Sequence, residues 1–192
     1  EIENSLKKGE FRVFLLHGVT GSGKTEVYLR ATMQAVGQKK NTLILVPEIA
    51  LTQQLVTQVQ KRFGSRVAVL HSAMTDKIRW IEWKRIARGE VSVVVGARSA
   101  VFAPLTDLGL IVVDEEHETA YKQEDGVRYN ARDIAIIRSK ISSCPVILGS
   151  ATPSLESYTH SQTQQYTALT LPERVASRPL PKVEIIDLRN EA

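Results

Sequence analysis

The sequence predicts a three-layer α/β domain built on a mostly parallel central sheet, and three observations carry that prediction. Short apolar runs rich in β-branched residues alternate along the chain with segments of helical periodicity. One such run, residues 11–18, leads directly into G-x-x-x-x-G-K-[ST] at Gly18, Gly23, Lys24 and Thr25, with a helix-like run at 26–36 behind it. Another, residues 108–113, ends in Asp114-Glu115-Glu116-His117. In a parallel sheet the carboxyl ends of the strands share one edge, so both polar motifs are expected there together.

The elements follow in order. Residues 1–9 read as the end of a helix leading into the first strand, and 11–18 as a strand buried on both faces. Residues 41–46 (NTLILV) form a second buried strand closed by Pro47. Leu51, Leu55, Val59 and Phe63 recur at helical spacing and stop at Gly64, which places a helix at 51–63. A short strand at 66–70 precedes a helix at 75–88, with Thr75 as N-cap and Gly89 as terminator. Strands follow at 91–96 and 108–113, a helix at 132–140 and a strand at 145–149. Beyond Thr152 the pattern loosens. Residues 166–171 and 183–188 look extended, with Pro172, Pro179 and Pro181 between them. The expected organisation is one domain over 1–171 and a linker over 172–192.

Bulk properties bound the function. A chain of 192 residues suffices for one α/β domain and is short for two. With 43% hydrophobic and 24% charged residues, wholesale disorder is not expected. A formal net charge of +4 permits nucleic-acid binding without demonstrating it. The single cysteine, Cys144, excludes an internal disulfide and a thiolate metal cluster. Neither a signal peptide nor a membrane-length apolar run is present, which leads to the expectation of a soluble, intracellular protein with no membrane partner. The chain begins at Glu1 rather than at a methionine, so an excised domain is expected.

Gly18 to Thr25 is the strongest chemical signal. Glycines let backbone N–H groups curl around phosphates, Lys24 reaches the β- and γ-phosphates, and the Thr25 hydroxyl suits Mg²⁺. The ordinary alternative is a glycine-rich turn, and the strand–loop–helix context argues against it. The candidate nucleotide-binding set is therefore Gly18, Thr20, Gly21, Ser22, Gly23, Lys24, Thr25 and Glu26, with ATP as ligand. The acidic cluster after 108–113 is the second signal. Asp114 is the candidate Mg²⁺ ligand beside Thr25, and Glu115 the group that orients and deprotonates the attacking water. His117 is a candidate to bond across to another motif and report on the nucleotide. The third signal is Gly149-Ser150-Ala151-Thr152-Pro153-Ser154, where Ser150 and Thr152 would bond the acidic cluster.

Taken together, GSGKT, VPEIALTQQ (46–54), GARSA (96–100), DEEH and GSATPS follow the order of motifs I, Ia, Ib, II and III of superfamily 2 helicases. The longer strings GVTGSGKTEVYL, DEEHETAYKQEDGVRYNARD (114–133) and LGSATPSLES resemble, more narrowly, the primosomal replication-restart DNA helicases of that superfamily. Ala97 departs from the threonine often found at its position. The resemblance implies a RecA-like P-loop NTPase fold, the first of two motor lobes, in a bacterial, cytoplasmic, ATP-dependent 3′-to-5′ DNA helicase that acts at stalled forks in primosome assembly and replication restart. It implies single-stranded and forked DNA, primosome proteins, single-stranded-DNA-binding protein and a missing second lobe as partners. The family's zinc module would lie elsewhere, and its adenine-side glutamine segment before Glu1.

Residues 121–133 (YKQEDGVRYNARD) combine aromatics that can stack on bases with cations that neutralise phosphates. A charged surface loop with half-buried tyrosines is the plain alternative. The resemblance favours an aromatic-rich loop that couples DNA binding to hydrolysis, through Tyr121, Lys122, Arg128, Tyr129 and Arg132. Thr52, Gln53, Arg98 and Ser99 are the candidate phosphodiester contacts. Trp80 and Trp83, three apart on 75–88, are expected to pack into the core rather than stack on bases. His71-Ser72 is expected to be a strand-end turn near DNA. A small-molecule kinase shares the phosphate loop but should lack the DEEH and GSATPS pair. A pure binding module would not need Glu115, and another superfamily 2 translocase remains the nearest alternative.

Overall fold

The computed structural model describes residues 1–47 and 53–175, the side chains of Gln53 and Gln54 excepted. The expected extended segment at 183–188 therefore lies outside the described residues, as do Thr52, Pro179 and Pro181.

β1 (Val13–Gly18), β2 (Asn41–Leu45), β3 (Val67–Leu70), β4 (Val93–Gly96), β5 (Leu108–Val113), β8 (Val146–Ser150) and β9 (Thr167–Leu171) form one seven-stranded sheet, ordered β3-β4-β2-β5-β8-β1-β9. Every pairing in it is parallel. β4, β5 and β8 are buried over their whole length, because helices cover both faces of the sheet there, whereas β1 exposes His17 near its carboxyl end. Alternate residues of β1 serve the two layers. Phe14 and Leu16 pack with α1 (Ile2–Lys8), α2 (Lys24–Gly37) and α3 (Gln53–Phe63), while Val13 and Leu15 pack on the side of α4 (Asp76–Ala87) and α5 (Ala131–Ile141).

Parallel strands direct all their carboxyl ends to one edge. The β1–α2 loop, Asp114 after β5, Ser150 ending β8, Pro47 after β2, His71 after β3 and Arg98 after β4 gather there, which brings the motifs together.

Thr75 caps α4 by accepting from Ile78 N–H, and Gly89 follows its end at φ 73°. A hairpin within the aromatic loop and a helix beyond Thr152 were not expected. A two-residue antiparallel pair, β6 (Lys122–Gln123) with β7 (Tyr129–Asn130), organises the aromatic loop. Helix α6 (Leu155–Gln162) follows β8, its N-terminus capped by Ser154, which accepts from Ser157 N–H. The tryptophan expectation holds for one residue only. Trp83 packs against the core, whereas Trp80 is 58% exposed with the Lys84 ammonium 4.7 Å from its ring centroid. A separation of three residues turns a helix by about 300°. Trp83 and Ile86 are separated in the same way, so Trp80 and the buried Ile86 lie about 120° apart around the helix, and Trp80 is left outside the covered stripe.

Candidate nucleotide site and neighbouring groove

The phosphate loop joins β1 to α2. Gly21 and Gly23 take φ values of 80° and 93°, a backbone in which a β-carbon is strained, and Gly23 caps the helix whose first residue is Lys24. The Lys24 ammonium donates to the Gly18 carbonyl at 2.7 Å and is 8% exposed. It has further protons to offer into an open cleft of about 760 Å³, lined by residues 20–25 of the loop, Gln58, Asp114, Glu115, Arg174 and Val175. The Ser22 hydroxyl is buried with no partner among the described residues, so an acceptor is wanted where a phosphate oxygen would lie. Glu26, by contrast, turns away. Its carboxylate accepts from Arg62 of α3 at 2.6 Å and from Arg30 at 2.9 Å, and these bonds hold it below the usual carboxylate range.

Asp114 is held from two sides. Its Oδ1 accepts from Tyr28 Oη at 2.9 Å, and its backbone carbonyl accepts from Tyr121 Oη at 2.6 Å. Burial raises the Asp114 carboxyl above its ordinary value, the Tyr28 hydrogen bond opposes the rise, and the Glu115 charge adds to it. Burial, and then the Asp114 charge, push both phenols well above the ordinary tyrosine range, so they stay donors. Tyr28 lies one helical turn beyond Lys24 on the same buried face of α2. It fits under the sheet because residue 149 is glycine. A β-carbon there would overlap Tyr28 Oη and lie 2.7 Å from Cζ.

Glu115 has φ 46°, a left-handed backbone uncommon for a residue with a β-carbon, and its carboxylate lies 3.7 Å from His117 Nδ1. His117 Nδ1 shares a hydrogen bond of 2.7 Å with Ser150 Oγ, and Nε2 lies 3.4 Å from Thr152 Oγ1. Ser150 Oγ also accepts from Thr152 N–H at 2.9 Å. The chain Glu115–His117–Ser150–Thr152 thus joins the two strand-end motifs. Glu116, given no role from the sequence, is buried and accepts from Ser154 N–H (2.7 Å), Ser154 Oγ (3.1 Å), Ser157 Oγ (2.9 Å) and Arg132 (3.3 Å). Arg132 also binds Glu156 at 2.7 Å and Asp133 at 3.0 Å. Its guanidinium is engaged by three carboxylates, and it locks α5, α6 and the acidic motif together.

Beside this cleft is a groove of about 370 Å³ lined by Pro47, Ser72, Arg79, Arg98, Ser99, Tyr121 and Tyr129 among others. Arg98 donates to the Lys122 carbonyl at 2.6 Å, so the loop after β4 is tied to the aromatic loop. Ser99, Lys122 and Arg128 are exposed. Tyr121 is 1% exposed, its ring packed into the core, while Tyr129 is half-buried with its ring edge-on to Phe102 at 5.1 Å. Only Tyr129 of the two offers ring area to the groove. Arg79 donates to the His71 and Ser72 carbonyls and brings one more cation to the groove. Thr52 and the Gln53 side chain lie outside the described residues.

Tyr28 and Glu116 were given no role from the sequence, and Arg174, which the sequence placed in the linker after 171, lines the cleft. The spacing of Tyr28 from Lys24 was a usable signal, since i,i+4 neighbours share a helix face. Nothing local marked the other two.

A model of the family described as DEAD/DEAH box helicase matches residues 2–160. Replication restart protein PriA of Bacillus subtilis (strain 168) is 52% identical over 190 residues, which are 99% of this chain and 24% of that protein. Replication restart protein PriA of Chlamydia pneumoniae is 47% identical over 192 residues, 100% of this chain and 26% of that protein. The chain thus spans about a quarter of the length of the curated relatives it matches. Among solved structures, RecG bound to a three-way DNA junction superposes with a TM-score of 0.59 at 20% identity, over 93% of this chain and 25% of that one. The DUF1998 helicase MrfA bound to DNA gives 0.59 at 19% identity, over 90% and 25%. These likenesses bear on the fold, which is the RecA-like one of helicase motors.

Proposed function

Because this chain belongs to the DEAD/DEAH box helicase family, we propose that it is the ATP-binding first motor lobe of a bacterial DNA helicase that restarts replication at stalled forks. The observation that carries the reading is the convergence of Lys24, Asp114, Glu115 and the His117–Ser150 pair on one edge of a parallel sheet. A kinase or a passive binding module has no use for the second half of that set. The proposed motor is a 3′-to-5′ DNA translocase working in the cytoplasm, a reading supported by the similarity to two replication restart proteins. In that reading 172–192 is the linker to a second lobe. Forked and single-stranded DNA, primosome proteins and single-stranded-DNA-binding protein are the partners of the whole protein.

The chemistry follows from the residues in place. Loop N–H groups and the Lys24 ammonium take the phosphate oxygens of ATP and stabilise the charge that develops on them. The Thr25 hydroxyl and the Asp114 carboxylate are oxygen donors that suit Mg²⁺, and Tyr28 fixes the orientation of the carboxylate. When bound, Mg²⁺ neutralises the phosphoryl oxygens. Glu115 orients the attacking water and accepts its proton. His117, bonded to Ser150 and facing Thr152, links that carboxylate to the loop leading into α6. Arg98, Ser99, Lys122 and Tyr129 are the DNA-side contacts, with Arg128 on the exposed tip of the same loop. Tyr121 acts from beneath, through its bond to the Asp114 carbonyl. Displacement of the aromatic loop by DNA thereby reaches the metal-binding strand end directly.

The test is ATP turnover with and without single-stranded DNA, in a protein of the relatives' full length and in this chain. Stimulation by DNA supports a motor. Phosphoryl transfer to a small acceptor identifies a kinase, and tight nucleotide binding without turnover at full length identifies a binding module.

A further inference from the structure

The cleft that holds the phosphate loop carries a cation from an unexpected place. Arg174 follows the last strand, β9, and belongs to no recognised motif, yet it lines the same cleft as Lys24, Asp114 and Glu115. Its Nε is buried with no hydrogen-bond partner, and no carboxylate among the described residues pairs with it. Arg174 is half-buried, and its enclosed Nε–H, facing no acceptor, is satisfied when an anion joins it in the cleft. The segment is also pinned. Val175 N–H donates to the Gly21 carbonyl at 3.0 Å, and the Val175 side chain covers Gly23, where an added β-carbon would be 3.3 Å from Val175 Cγ2. The lining charges make the same point. Without Arg174 the cleft would set Lys24 against the two carboxylates of Asp114 and Glu115, a poor balance for a polyanion.

We propose that Arg174 is a second phosphate-binding cation of this nucleotide site, supplied by the chain that leaves β9 and clamped on the loop through Val175. The proposal rests on the nucleotide reading above and adds to it. The ligand chemistry is a diphosphate or triphosphate group, and the guanidinium meets it with paired N–H donors. Because the loop and the segment 172–175 are hydrogen-bonded to each other, occupancy of the loop and the position of the departing chain are coupled.

The experiment measures ligand-induced thermal stabilisation of this chain with ADP, inorganic pyrophosphate and adenosine, each with Mg²⁺ and with chelator. It compares wild type, Arg174→Ala, Arg174→Lys and Lys24→Ala. Arg174→Ala is expected to weaken ADP and pyrophosphate by roughly tenfold to a hundredfold, the worth of a charge-assisted contact, with a larger factor in chelator than with Mg²⁺. Arg174→Lys should recover part of the loss, and the response to adenosine should not change. Arg174→Ala binding ADP within twofold of wild type, while Lys24→Ala loses it, would overturn this proposal and leave the nucleotide site standing. An equal loss for adenosine and pyrophosphate would overturn the phosphate assignment. No response of the wild type to any phosphate ligand would remove both the proposal and the reading beneath it.

Discussion

Replacing Gly149 by alanine should damage this domain more than its single added methyl suggests. Gly149 sits within β8 with an ordinary strand backbone, so the glycine is required by space and not by conformation. The new β-carbon would overlap Tyr28 Oη and lie 2.7 Å from its Cζ, and the tyrosine is 2% exposed with nowhere to retreat. Overpacking of this kind costs about 1–3 kcal/mol. Moving the phenol also breaks its bond to the Asp114 carboxylate, and a hydrogen bond to a charged group is worth roughly 1.5–3 kcal/mol. About 3–5 kcal/mol is therefore at stake, which at roughly 2–4 °C per kcal/mol lowers the melting temperature of a domain this size by about 6–20 °C. The assay is thermal and denaturant unfolding of Gly149→Ala, Tyr28→Phe and the double variant. The two changes share one contact, so the double variant should lose less than the sum by about 1 kcal/mol or more. A melting temperature for Gly149→Ala within 2 °C of wild type, or strict additivity, would refute the reasoning.

Other outcomes follow from the same geometry. Lys24→Ala in a protein of the relatives' length should abolish ATP hydrolysis and leave fork binding largely intact, as steady-state turnover and gel-shift titration would report. This chain by itself should not turn ATP over appreciably even with saturating single-stranded DNA, because the proposed motor takes from a second lobe an arginine worth roughly 10³–10⁵ in rate. Glu116→Ala should lower stability by about 3–5 kcal/mol in a denaturant titration, since it leaves Arg132 and two serines without their buried acceptor. Asp114→Asn should be more stable than wild type at neutral pH. Burial raises the folded-state value of this carboxyl above its unfolded one, so its protonated form stabilises the fold below the ordinary carboxylate range and that contribution is lost as pH rises through the raised value. The difference in melting temperature between the two proteins should accordingly shrink in acid.

How much of this was legible in the residue order depends on the range of the interactions concerned. The phosphate loop, the strands before it and before Asp114, and the helices capped by Thr75 and ended by Gly89 are local objects. Their dihedral needs, apolar period and terminators lie within a few residues of one another, so composition and spacing declare them. The family motifs were legible for the same reason, being short strings at strand ends. What the linear order could not contain was contact between distant residues. Tyr28 meets Asp114 across 86 positions, Glu116 meets Ser157 across 41, and Val175 meets Gly21 only because β9 pairs with β1 at the sheet edge. Arg132 read as a free cation until Glu116 and Glu156, from separate segments of chain, closed on it beside its neighbour Asp133, and Tyr121 read as a stacking face until its ring proved to be core. Trp80 shows the same limit in reverse, since the period names a helix but not the width of the stripe that its neighbours cover. The sequence by itself determined the strands of the main sheet, the phosphate-binding chemistry and the edge on which it sits. Only the tertiary structure decided which polar side chains are consumed in holding that edge together and which remain free to meet a ligand, because desolvation and pairing depend on neighbours that packing alone supplies.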